Sequence, residues 1–320
     1  MYPSSGATIR ADINQVVIEA AQADTFFIGE KAMPPFSVDA KSGTYPKLQI
    51  AEAELLSRGS VERSRSSSYG EVARKWTADT YDCVDRGLEE PVDDTDQKDL
   101  SRYFNYEASS AKWVLRNMKL DHEARVAAAI VNATTFGAGT ASAVAYTEAN
   151  IATISFIADV LAAIERCRDN GCNPNTIILS STVYNRVRRG TLVVNFVASQ
   201  VGKGASVTTT AIAQALADEG ITKCLVGKAR YNSAKKGQAK SMTACWGNTY
   251  IWVGNANDGA RTLQDGGAGF TFVWNAEGGL WVTETYRNET RRSNIVRVRQ
   301  NTTEKIVDAT QGTLITTQYS

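Results

Sequence analysis

Residues able to do chemistry are sparse in this chain. Its one histidine, His122, lies in a stretch of helical spacing, where a packed helix residue is the expectation. Nothing else in the sequence marks the partners of a Ser–His–Asp triad. The five cysteines, Cys83, Cys167, Cys172, Cys224 and Cys245, are odd in number and lack CxxC spacing. They read as buried thiols of a reducing cytoplasm, not as a disulfide framework or a zinc site. Gly202-Lys203-Gly204-Ala205-Ser206 lacks the order of a phosphate-binding loop. Gly137-x-Gly139 lacks a third glycine and follows a helix, not a strand, which excludes a dinucleotide fingerprint. Asp93, Asp94 and Asp96 suit helix capping better than metal ligation. The Asn-, Thr- and Gly-rich residues 254–269 could cradle an ion or a sugar, though a polar loop is the simpler reading. No catalytic residue, cofactor or metal site is assigned, and the chain is not expected to be an enzyme.

The bulk numbers agree. With 320 residues, 43% apolar and 22% charged, the chain is an ordinary globular protein with length for about two domains. A net charge of +1 gives no global field for nucleic acid or membrane. No apolar run approaches the ~20 residues of a membrane span, and no signal-peptide core opens the sequence.

What positions the side chains is a stretch without Gly or Pro, Val92 to Thr135. Leu100, Phe104, Ala108, Ala111, Leu115, Met118, His122, Val126 and Ala129 recur on one helical face. Asp94 with Gln97 resembles a capping box, and Gly137 supplies a stop. One helix over this span would be about 55–60 Å long, a girder; two shorter helices with a hidden break are the alternative.

Before it, residues 1–36 read as an arm with a short amphipathic helix through Ile13, Val16, Val17, Ala20 and Ala21, then an extended Pro34-Pro35 step. Segments starting near Tyr45 and running from Trp76 to Cys83 read as strands joined by a polar Ser/Arg-rich tip: an extended hairpin, or else a disordered insertion. After it come a helix over 153–169, a strand over 176–179, helices over 181–189 and 208–219, and a strand over 221–226, the order of a compact α/β unit. Residues 234–241 form a basic turn. Strands follow over 245–253, 270–274 and 280–286, and alternation of Ile/Val with Arg, Thr and Lys over 295–317 fits half-buried or edge strands.

This order resembles the HK97-like major capsid proteins of tailed bacteriophages over nearly the whole chain. The local carriers are Tyr69-Gly70-Glu71-Val72, Trp76 to Val84 and Leu88 to Asp93 before the long helix, then Asn173 to Leu179 leading into Ser181 to Arg188. The resemblance implies an α+β fold: arm 1–36, extended hairpin (E-loop) 37–91, spine helix and peripheral domain 92–146, axial domain 147–275, and return strands to the peripheral domain with the C-terminal segment 276–320. It implies self-assembly through hexamers and pentamers into an icosahedral head around double-stranded DNA held without sequence readout. Portal, scaffold and decoration proteins would be partners, the virion the location, and the host cytoplasm the site of assembly; no membrane is involved. No scaffolding region precedes the arm, so processing or a separate scaffold is expected. No Lys–Asn pair for inter-subunit cross-linking can be assigned.

Physical reasoning points the same way, since an arm, a polar hairpin and a girder expose edges that symmetric neighbours would cover. Near-zero net charge also lets many copies pack together. Arg58, Arg63, Arg65 and Arg74 on the hairpin are candidate inter-subunit contacts; Arg63 and Arg65 would meet Asp94 or Asp96 of a neighbour, or else stay solvated. The alternatives are an encapsulin-type protein shell, a soluble α/β enzyme acting at 254–269, and a carbohydrate-binding module using Trp246, Trp252, Trp274 and Trp281.

Overall fold

The computed structural model describes residues 8–9, 13, 15, 17, 19, 26–48, 62–69, 76–137, 139–202, 204, 206–235, 237–257, 259 and 262–319. Two larger sheets share one long helix. In the first sheet, Ser293–Ile306 pairs antiparallel with Val84–Asp93, Val282–Asn288 and Gly269–Trp274. Thr8–Ile9 adds to Val282–Asn288, and Pro35–Val38 runs parallel to Gly269–Trp274. The alternation read from the sequence decides which way the long strand faces. Val296 and Val298 are buried towards the helix, while Arg297 and Arg299 turn to the opposite face and pair with Glu89 and Glu284.

The second sheet has the order Thr140–Ala141, Gly312–Thr316, Tyr250–Gly254, Thr176–Ser180, Lys223–Gly227. Helix Phe156–Asp169 buries Val160, Ala163, Ile164 and Cys167 in its core, as the spacing predicts. Strand Thr176–Ser180 and helix Ser181–Val187 fall where expected; Ser180 Oγ accepts from Val183 N and starts that helix. Helix Thr191–Gln200 has no counterpart in the sequence reading, because Leu192, Val193, Val194, Phe196 and Val197 make it apolar nearly all round and hide its period. The single helix expected over 208–219 is Thr209–Ala215 followed by a 3-10 turn.

One further expectation is corrected. The strand drawn over 245–253 is confined to Tyr250–Gly254, while Met242–Ala244 pairs with Arg230–Asn232 in a small sheet of its own. The strands expected over 295–317 are present and divide between the two sheets. Ser293–Ile306 is the central strand of the first sheet, Asp308 caps a 3-10 turn over Ala309–Gln311, and Gly312–Thr316 joins the second.

The single helix over 92–135 is also corrected. Val92 and Asp93 end a strand, Asp94–Leu100 is a short helix, and Tyr106–Ile130 is the long one. Its 25 residues span about 37 Å, not 55–60 Å. The break has a local cause. Asn105 takes an extended conformation and its Oδ1 accepts from Ala108 N at 3.1 Å, starting a new helix rather than continuing the old one. Ser101, Arg102, Tyr103 and Phe104 are exposed, so no buried face compensates a continuous helix there. Asp93, not Asp94, caps the short helix, accepting from Thr95 N at 2.8 Å.

The long helix bridges the sheets. Ala111, Val114, Leu115 and Met118 pack on Val92, Val296 and Val298 of the first sheet, and Val126, Ala127 and Ile130 pack with Ile178, Trp252 and Leu314 of the second. Residues 13, 15, 17 and 19 are helical, and Ile13 and Val17 are buried in the first of these clusters; Val16, Ala20 and Ala21 of the expected helix lie outside the described residues. Ser42–Leu48 and Trp76–Asp82 form the expected hairpin, with Tyr45 opposite Asp79. Tyr45 and Tyr81 pack on Phe272, which roots the hairpin on the first sheet. Among the described residues no helix is long and apolar enough to cross a membrane.

Candidate assembly surfaces and a buried joint

Where the long helix passes from one sheet to the other, it buries charge. Lys119, His122 and Glu123 are all buried, and the sequence reading foresaw only His122. Glu123 is about 1% exposed, and its carboxylate accepts from Gly29 N (2.6 Å), Ile28 N (3.1 Å) and Trp246 Nε1 (2.5 Å). One side chain thus ties the arm, the long helix and the loop before Tyr250–Gly254. Burial pushes its carboxyl up, and the three donors pull it back. Gly29 is required for this approach: a Cβ there would sit 2.8 Å from Glu123 Oε2 and 3.3 Å from His122 Nδ1.

Around it the other polar groups are paired. Glu30 meets Lys119 Nζ at 3.4 Å and accepts from Trp281 Nε1 at 3.1 Å. His122 Nε2 lies 3.3 Å from Thr271 Oγ1, which itself donates to Met33 O. Desolvation lowers the His122 imidazole below its ordinary value, against the opposing pull of Glu304 and Glu30, and so favours its neutral form. Arg125 holds Glu304 through Nε (3.0 Å) and Nη2 (3.1 Å) and also contacts Asp121. These groups have partners within the chain. The arrangement fastens parts together; it does not present a reactive atom. Charged residues inside an apolar stripe were the available sequence signal, but their partners lie far off in the sequence, Trp246 at 123 positions from Glu123 and Glu304 at 179 from Arg125.

The candidate contact residues are placed as follows. Arg58 and Arg74 lie outside the described residues. Arg63 and Arg65 are exposed near the hairpin tip, with the Arg63 guanidinium 4.7 Å over the Tyr69 ring. Asp94 is engaged within its own chain, by Arg287 Nη1 (2.5 Å) and Nη2 (2.7 Å), which lowers its carboxyl. Asp96 is exposed. Among the described residues, no ion pair within the chain joins Arg63 or Arg65 to Asp94 or Asp96.

The residues of the other readings do not converge. Trp246, Trp252 and Trp281 are buried, so they offer no stacking face for a sugar, and Trp274 Nε1 donates to Asp39 O. In the 254–269 region, Asn257 Nδ2 donates to Asp265 O within the loop and Asn255 Nδ2 to Gln311 Oε1 of the 3-10 turn, so both amides are engaged within the chain. Among the described residues no group of three or more His, Cys, Asp or Glu side chains could hold a metal ion.

No protein-family model matches the sequence. A major capsid protein of Pseudomonas phage JBD67 is 25% identical over 244 residues, 76% of this chain and 76% of that one. A phage-related protein from Bordetella bronchiseptica RB50 superposes with a TM-score of 0.70 at 20% identity, covering 97% of each chain. The capsid of Cyanophage P-SCSP1u does so with a TM-score of 0.58 at 14% identity, over 92% of this chain and 88% of that one. The chain therefore has the HK97-like α+β fold of tailed-phage major capsid proteins.

Proposed function

We infer that this chain is the major capsid protein of a tailed bacteriophage, a structural subunit that assembles into an icosahedral head enclosing double-stranded DNA. The observation that carries this reading is a likeness to phage capsid chains that runs almost end to end, with a sequence relative named as a major capsid protein. The architecture supports it physically. A hairpin rooted by aromatic packing, with an exposed charged tip, stands off the first sheet and has no described core beneath residues 62–69. In a closed shell, such projections lie on neighbours.

Within this reading the arm is 1–36, the extended hairpin 37–91, the spine helix and peripheral domain 92–146, the axial domain 147–275, and the return 276–320. Hexamers and pentamers are the assembly units, portal and scaffold proteins the partners, and the virion the destination after assembly in the host cytoplasm. Arg63 and Arg65 pair with a neighbour's Asp96, which is exposed, in preference to Asp94, which Arg287 already occupies. The chain's role is structural and no catalytic group is assigned to it.

Negative-stain electron microscopy of the purified protein, with size-exclusion chromatography, tests the reading. Polyhedral particles or capsomer rings are expected. A monomer or small dimer, stable across concentration, would overturn it. If shells form in cells, their contents separate a DNA-filled head from an encapsulin-type shell loaded with protein.

A further inference from the structure

Between Glu219 and Asp258 the chain has no Asp or Glu, yet it carries Lys223, Lys228, Arg230, Lys235, Lys236 and Lys240. Against 35 basic and 34 acidic residues overall, this is local segregation of charge, not a bulk bias. Much of it is gathered on one projection. Arg230–Asn232 and Met242–Ala244 pair antiparallel as a two-stranded finger separate from both larger sheets. Lys228, Arg230, Lys235 and Lys240 are all exposed on it.

The finger is firmly rooted. Cys245 N donates to Ala229 O at 2.9 Å, and Trp246, next in sequence, is locked to Glu123 in the buried joint. Its turn is also held: Asn232 Oδ1 accepts from Ser241 N (2.9 Å) and Ala234 N (3.2 Å), and Ser233 N donates to Ser241 O (2.8 Å).

We propose that this finger grips the phosphodiester backbone of nucleic acid without reading sequence. The proposal rests on the shell reading and names the element that would touch the packaged DNA. Composition selects the partner. Protein–protein interface cores are depleted in Lys, Ser and Ala and enriched in Arg and aromatics. The finger has the opposite balance, with lysines, serines and glycine around one Arg and one Tyr. Lysines, hydroxyls and main-chain N–H groups are the usual phosphate ligands, and no carboxylate of the finger opposes them. Tyr231, exposed on the first strand, adds a face on which an unpaired base could stack.

The experiment is a fluorescence-anisotropy titration of the full-length chain with a labelled mixed-sequence duplex of about 30 base pairs and its single strand, across salt. With roughly four phosphates engaged, wild-type affinity should fall about a hundred-fold between about 50 and 200 mM salt. Lys235→Gln/Lys240→Gln should reduce the salt slope by about two. Lys112→Gln/Arg116→Gln, on the exposed side of the long helix, should leave it unchanged, and thermal melts check that both variants are folded. No binding by the wild type, or equal binding by the finger variant, would overturn the proposal. So would a finger variant that binds DNA normally but no longer assembles, because the finger would then contact another copy. Particle formation is scored separately by microscopy, so failure of the shell reading shows as absent particles, whereas failure of the finger shows in the titration.

Discussion

Glu123 is the residue on which most separate parts of the molecule converge. Glu123→Ala would leave the Trp246 indole N–H and the Ile28 and Gly29 amides without their acceptor in a buried place. The expected loss is about 3–5 kcal/mol in urea unfolding, from the penalty of stranding buried donors. Glu123→Gln keeps one acceptor oxygen and should lose less; an equal loss would mean that the charge matters more than the hydrogen bonds. His122 beside it sets a pH dependence. It faces Glu304, Glu30, Lys119 and Arg86, and burial lowers its affinity for protons below the ordinary value of 6.5. The unfolded chain thus takes up a proton that the folded chain refuses. Stability from this group is complete above about 6.5 and falls as pH drops below it. Glu123, shifted upward, acts in the opposite sense, its contribution present at low pH and lost as pH rises past the ordinary carboxyl range. Comparing unfolding at pH 7 and pH 5.5 in wild type and His122→Gln should show a flatter slope in the variant. An unchanged slope would assign acid sensitivity to other groups.

At the scale of elements, the long helix is two-sided in function but not in composition. Its first half serves one sheet and its second half the other, and the transition falls where the buried charges lie. Met118→Ala should cost about 2–5 kcal/mol, since Met118 is only 2% exposed within the first cluster. Asn105→Ala should cost about 1 kcal/mol by removing the cap that restarts the helix after the break. Chemical denaturation of the two variants checks both. A neutral Asn105→Ala would mean that the helix runs on through the break at no cost.

At the scale of the whole molecule, the chain's charges are nearly balanced while their placement is not. Salt bridges such as Arg287 with Asp94 and Arg125 with Glu304 are satisfied within the chain, leaving Arg63 and Arg65 at the hairpin tip exposed. The joint reversal Arg63→Glu/Arg65→Glu should therefore leave the melting temperature of the isolated chain unchanged and lower the yield of particles seen by microscopy. Normal particle yield would return both arginines to the class of solvated loop charges.

The sequence by itself determined the alternation of the long C-terminal strand, the helix expected over 153–169 with its following strand and helix, and the two strands of the hairpin. Each of these is a local pattern of period, cap or turn residue, and local patterns survive in one dimension. The apolar stripe from Ala111 to Val126 was legible for the same reason. Only the tertiary structure decided where the helix breaks, because an Asn with helix-compatible neighbours becomes a cap only when no buried face holds the chain straight. It also divided 295–317 between two sheets, since alternation specifies a strand but not its partner. Above all, it decided the joint. Gly29, Glu123 and Trp246 are distant in sequence, and a buried carboxylate is tolerable only when folding brings its donors to it.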